Sequence, residues 1–123
     1  MPPGAIVSIE SSSFKELQEK FAEYSWAVYR KMEGKMCFLN FVLDITPHCD
    51  CFPHSKEPVA RDAGVVASRD MVAVDQASLD LIIEQEGRDV FEEHSGVSGI
   101  YQLSHAERLG LGSRKYRLVE ISI

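Results

Sequence analysis

Between His48 and His54 the chain reads His-Cys-Asp-Cys-Phe-Pro-His, two thiols and two imidazoles within seven positions. Thiolates and imidazoles are ligands that zinc, iron and copper prefer. Cys49 and Cys51 are two apart, so in an extended backbone both side chains project to one side and Asp50 to the other. Such a pair chelates one metal ion if the loop curves, with His48 or His54 as a third ligand and Cys37 or His105 as a fourth. The spacing is neither the two separated pairs of a zinc finger nor the Cys-x-x-Cys-x-x-Cys run of a ferredoxin. The expected metal ligands are therefore Cys49, Cys51, His48 and His54. Zinc is the candidate ion, or iron in a cluster shared with another chain. A cysteine nucleophile beside His48 or His54 is a second chemistry, for which no oxyanion hole is recognisable.

The carboxylates Asp44, Asp50, Asp62, Asp70 and Asp75 fall in the segments that follow the first two expected strands. In open α/β sheets ligands sit at the carboxyl ends of the strands. Parallel strands would gather Asp44, Ser68, Asp70 and the Cys/His loop on one rim. Each aspartate also has a plain role as a cap or turn residue, and Asp70 is read as a cap. Cys37, between Met36 and Phe38, reads as a small apolar core residue. His105 shares a helix face with Tyr101 and Leu109, where it packs or hydrogen-bonds, and His94, beside Glu92 and Glu93, reads as a solvated helix end.

These residues need elements to hold them. Ser11, Ser12 and Ser13 offer an N-cap, with Glu16 placed for a capping box. Phe14, Leu17, Phe21, Val28 and Met32 recur at helical spacing, flanked by Trp26 and Tyr29, which predicts a helix over 14–32 ending near Gly34 with that stripe inward. The apolar run 35–43 predicts a strand buried on both faces. A loop from Asp44 to Pro58 follows, punctuated by Pro47, Pro53 and Pro58, and then a strand over 64–68. Asp70 caps a helix over about 71–86, with Val74, Ala77, Leu81 and Ile82 inward. A short helix over 88–94, a helix over about 100–109 stopped by Gly110 and Gly112, and a third strand from Tyr116 to Ile123 complete the pattern. The fold class is α/β: a small mixed or parallel sheet of about three strands flanked by helices, which a partner or a missing N-terminal half would complete.

At 123 residues the chain makes one domain, 1–123. Its 13 Lys+Arg against 19 Asp+Glu give a net charge of −6, with no basic run or stripe, so nucleic acid is not the expected partner. No stretch approaches the roughly 20 apolar residues of a membrane span. Met-Pro-Pro-Gly-Ala-Ile-Val has no basic leader region, and a cytoplasmic, reducing location is expected. Three cysteines, two of them in Cys-x-Cys, suit free or metal-bound thiols better than disulfides.

Asn40-Phe-Val-Leu-Asp-Ile-Thr-Pro-His-Cys-Asp-Cys, followed by Asp62-Ala-Gly-Val-Val-Ala-Ser-Arg-Asp-Met-Val-Ala-Val-Asp-Gln-Ala-Ser-Leu-Asp, resembles the domain of unknown function 362 family. The helix Phe14 to Tyr29 fits the same family, and His105-Ala-Glu-Arg-Leu-Gly-Leu-Gly-Ser-Arg-Lys-Tyr is similar to its end. The resemblance spans about residues 14–121 and implies the C-terminal part of a longer protein whose members often carry a ferredoxin-type iron–sulfur insert. That insert's cysteines are absent here. Cys49, Asp50, Cys51, Asp62, Gly64, Ser68, Asp70 and Asp75 match the family's motifs, whereas Met71 stands where proline is usual. The expectation is a metal-binding or redox-associated domain with a Cys-Asp-Cys/His loop. The alternatives are an enzyme domain using an Asp/Cys/His rim for metal-assisted or acid–base chemistry, and a structural assembly module. Another protein chain or a second copy is the expected partner.

Overall fold

The computed structural model describes residues 14–48, 53, 54 and 56–122. In chain order the elements are α1 (Phe14–Met32), β1 (Phe38–Val42), β2 (Gly64–Ser68), α2 (Met71–Glu86), α3 (Val90–Ser95) and α4 (Ile100–Arg108). The expected α/β class holds, with helices flanking a sheet. The serine cap expected before α1 lies outside the described residues. Gly34, at φ +75°, ends α1 as its position implies.

Helix α2 organises the fold. Asp70 Oδ1 accepts hydrogen bonds from the backbone N–H groups of Val72 and Ala73, and Gly87, at φ +70°, closes the other end. The helix is apolar on two sides because it lies between two layers. Val74, Ala77 and Ile82, inward as expected, meet Val42, Val66 and Val90 on the sheet side. Val72 and Leu79 meet Ala22, Leu103, Ala106 and Leu111 on the side of α1 and α4.

The sheet differs from expectation. It has two strands among the described residues, paired antiparallel with Phe38 opposite Ser68 and Val42 opposite Gly64. A parallel pair needs a long crossover, usually helical. Here the proline-punctuated connection instead folds back on itself, with Val59 N donating to Ile45 O at 2.7 Å and Ala63 N to Val42 O at 2.8 Å. With α2 on one face only, β1 alternates rather than being buried on both sides. Phe38, Asn40 and Val42 turn inward, while Leu39 and Phe41 stay 55% and 67% exposed. Cys37 has the outward parity and is exposed, not a core residue.

Two further expectations give way. Residues 116–122 form no strand and pair with neither β1 nor β2, and Leu118, Val119 and Ile121 are exposed. In α1 the large stripe residues Phe14, Phe21, Val28 and Met32 are exposed, and the packed face is that of Ala22, Trp26 and Tyr29. The small Ala22 lets α1 approach α4 closely, and the larger Trp26 and Tyr29 pack on the same face.

Candidate functional site

The inward parity of β1 puts Asn40 against α2, where Asp75 and Ser78, three residues apart, share one helix face. Asn40 Nδ2 donates to Asp75 Oδ1 at 2.7 Å and to Ser78 Oγ at 3.0 Å. The Ser78 hydroxyl donates to Val74 O at 2.7 Å. These three side chains share the polar lining of an open cavity of about 880 Å³ with Gln18, Thr46, His48, His94, Ser95 and Gln102, and its walls include Leu39, Val42, Ile45, Leu79, Phe91 and Leu103. Apolar walls with a few convergent polar groups are the usual make-up of a small-molecule site. Burial raises the Asp75 carboxyl above its ordinary 3.8, and the Asn40 hydrogen bond opposes that effect. No described residue donates to Asp75 Oδ2.

Of the expected metal ligands, Cys49 and Cys51 lie outside the described residues. His48 is exposed and borders the cavity, with its carbonyl accepting from Thr46 Oγ1 at 2.6 Å. His54 is exposed in a turn and does not line the cavity. Among the described residues no three His, Cys, Asp or Glu side chains come together as a metal-holding group. The donor set of the loop, two thiols flanked by two exposed imidazoles, suits zinc or iron by its chemistry.

The shared carboxylate rim does not form, because antiparallel strands send their carboxyl ends to opposite edges. Asp44, at φ +49°, follows β1 and donates its N–H to Asp62 Oδ1 at 2.9 Å, which ties the loop's two limbs together. At the other edge Asp70 caps α2, and its Oδ2 accepts from Ser113 N at 2.8 Å. Ser68 Oγ accepts from Asp70 N at 3.0 Å. A Cβ on Gly112 would lie 2.0 Å from Asp70 Oδ1, so only glycine permits this approach. Ser68, Asp70 and Gly112 therefore pin the loop after α4 to the start of α2. Of the described carboxylates singled out in the sequence, only Asp75 reaches the cavity.

The histidines outside the loop behave as read. His105 Nε2 lies 3.1 Å from Glu23 Oε1, and its Nδ1 lies 3.1 Å from Arg108 Nη2. His94 is exposed at the end of α3, with Nδ1 2.9 Å from Val90 O, and it also borders the cavity. A second polar chain went unread in the sequence. Arg114 donates from Nε to Gln76 Oε1 and from Nη1 to Ser104 Oγ, at 2.8 and 2.9 Å. Gln76 Nε2 donates to Asp80 Oδ1 at 2.8 Å, and Tyr116 OH to Asp80 Oδ2 at 2.7 Å. Burial, that hydrogen bond and the negative charges of Asp80 and Glu84 push the Tyr116 phenol up to about 12. The signal for Asn40 was available: it is the one polar residue in Phe-Leu-Asn-Phe-Val, and Asp75 and Ser78 interrupt a helix face that Val72, Leu79 and Ile82 otherwise make apolar.

The molecule is thus an α/β domain with a ligand-sized cavity between a two-stranded sheet and its helices. The family model described as Domain of unknown function (DUF362) matches residues 4–80, more than half of the chain, and the chain belongs to that family. The matched segment holds α1, both strands, the Cys/His loop and the Asn40, Asp75 and Ser78 lining. No curated protein and no solved structure matches the chain.

Proposed function

We propose that this chain is a metal-binding or redox-associated module in which Cys49 and Cys51, assisted by His48 and His54, hold zinc or iron. The observation that carries this reading is the position of His48, first residue of the donor run, at the border of a cavity of about 880 Å³. A metal held there would stand beside bound substrate or partner groups and supply Lewis-acid or electron-transfer chemistry. Free thiols fit a reducing, cytoplasmic setting. Association with a second copy or another protein chain is supported by the exposed apolar residues Leu39, Phe41, Leu43 and Val65 on the sheet and Phe21 and Val28 on α1.

The test is elemental analysis with an absorption spectrum, on protein purified without oxygen or chelators. Near-stoichiometric zinc, or iron with a brown colour, is expected, and Cys49→Ser with Cys51→Ser should remove it. Affinity should fall on acidification to about pH 5, as thiolates and imidazoles take up protons. A well-folded, metal-free protein, or affinity unchanged over that range, would overturn the reading.

A further inference from the structure

The charge of the cavity is one-sided. Of its lining residues, none is Lys or Arg, and Asp75 is the one carboxylate. Residues 1–13, 49–52, 55 and 123, which lie outside the described set, contain no Lys or Arg either. An anionic ligand would therefore meet a carboxylate with no lysine or arginine to offset it. A cation would meet a partly desolvated carboxyl whose Oδ2 accepts no hydrogen bond from a described residue, at the base of walls built from Val42, Leu79 and Leu103.

Asn40 and Ser78 fix the geometry of that acceptor. Asn40 occupies Asp75 Oδ1 from the sheet side, and Ser78 Oγ holds the Asn40 amide in place. The carboxyl is therefore oriented before any ligand arrives, and less ordering remains to be done on binding. A volume of about 880 Å³ admits a ring system or a branched alkyl chain, at the upper end of the ~300–1,000 Å³ common for small-molecule sites.

We propose that this cavity binds a small amphipathic amine, its apolar body against the aliphatic and aromatic walls and its ammonium on Asp75. The ammonium contact at Asp75 uses none of the loop donors, although His48 borders the same cavity, and it holds whether or not the loop carries a metal. A charge-assisted hydrogen bond in a partly desolvated setting gives the amine its advantage over a neutral or anionic ligand of the same shape.

The test uses three probes of similar shape, naphthylethylamine, naphthylethanol and naphthylacetate, titrated calorimetrically into the full chain near neutral pH. The amine should bind at least about tenfold tighter than the acetate, with the alcohol between them. In Asp75→Asn the amine should fall to the level of the alcohol. Nitrogen-edited NMR of the wild-type chain supplies a readout that does not depend on the variant. The amine should shift the Asn40 side-chain amide and the backbone amides of Val42, Leu79 and Leu103. Equal affinity for amine and acetate, or shifts confined to residues outside the cavity, would overturn the proposal. If Asp75→Asn fails to fold, the wild-type affinities and the shift map decide. Metal content is measured on the same samples, so loss of the metal reading and loss of the amine site are seen separately.

Discussion

A carboxyl that folding desolvates opposes the fold whenever it is ionised. Asp75 is such a group: its folded pKa lies above the ordinary 3.8, so its favourable contribution is complete below that value and is lost as pH rises through the raised one. Asp75→Asn keeps an acceptor for the Asn40 amide and removes the charge. Its melting temperature should match wild type near pH 3 and exceed it at pH 7, by about 1 kcal/mol or less in stability, as differential scanning calorimetry at the two pH values would show. Asp70 has the opposite character, since the backbone N–H groups of Val72, Ala73 and Ser113 all rely on it. Asp70→Ala should cost about 2–3 kcal/mol in denaturant unfolding. Gly112→Ala, whose Cβ would fall 2.0 Å from Asp70 Oδ1, should cost about 2 kcal/mol. Combined, the two should cost less than their sum, because alanine at position 70 vacates the space the new methyl needs.

At the level of elements, what was legible depended on whether a local signal had one physical reading. Helix α2 announced itself through Asp70, and its inward residues followed from period 3.6. Helix α1 carries apolar residues on two faces, and the regular spacing of Phe14, Phe21, Val28 and Met32 pointed to the wrong one. Helix–helix approach is set by the small Ala22, 3% exposed, while Phe21 and Val28 remain 41% and 59% exposed. Phe21→Lys and Val28→Lys should therefore each change stability by no more than about 0.5 kcal/mol. Ala22→Lys, forced against Leu103 and Ala106, should cost about 3 kcal/mol or more by chemical denaturation. Strand direction was not legible, because an apolar run fits a parallel or an antiparallel neighbour equally well. Asn40 was the residue that argued for alternation. The loop's donor residues were plain in the sequence, whereas the cavity beside His48 draws its lining from all four helices and β1, which only folding brings together.

Across the whole molecule, one sheet face and one helix face remain without cover among the described residues. Leu39, Phe41, Leu43 and Val65 are all exposed, and clustered apolar exposure of this kind marks interaction surfaces. Sedimentation velocity should find concentration-dependent association, and replacing Leu39 and Phe41 together by serine should weaken it while leaving the melting temperature within a few degrees. The pairing that exposes these residues also governs the cavity. Side chains alternate along β1, so sliding it by one position against β2 would turn Phe41 or Leu39 toward α2 and Asn40 toward water. Asp75 would then lose its amide donor and face a ring or an alkyl chain. The Asn40–Asp75 contact is thus a parity check on assembly: an off-by-one hairpin carries its own penalty, and only the in-step chain has a receptive pocket.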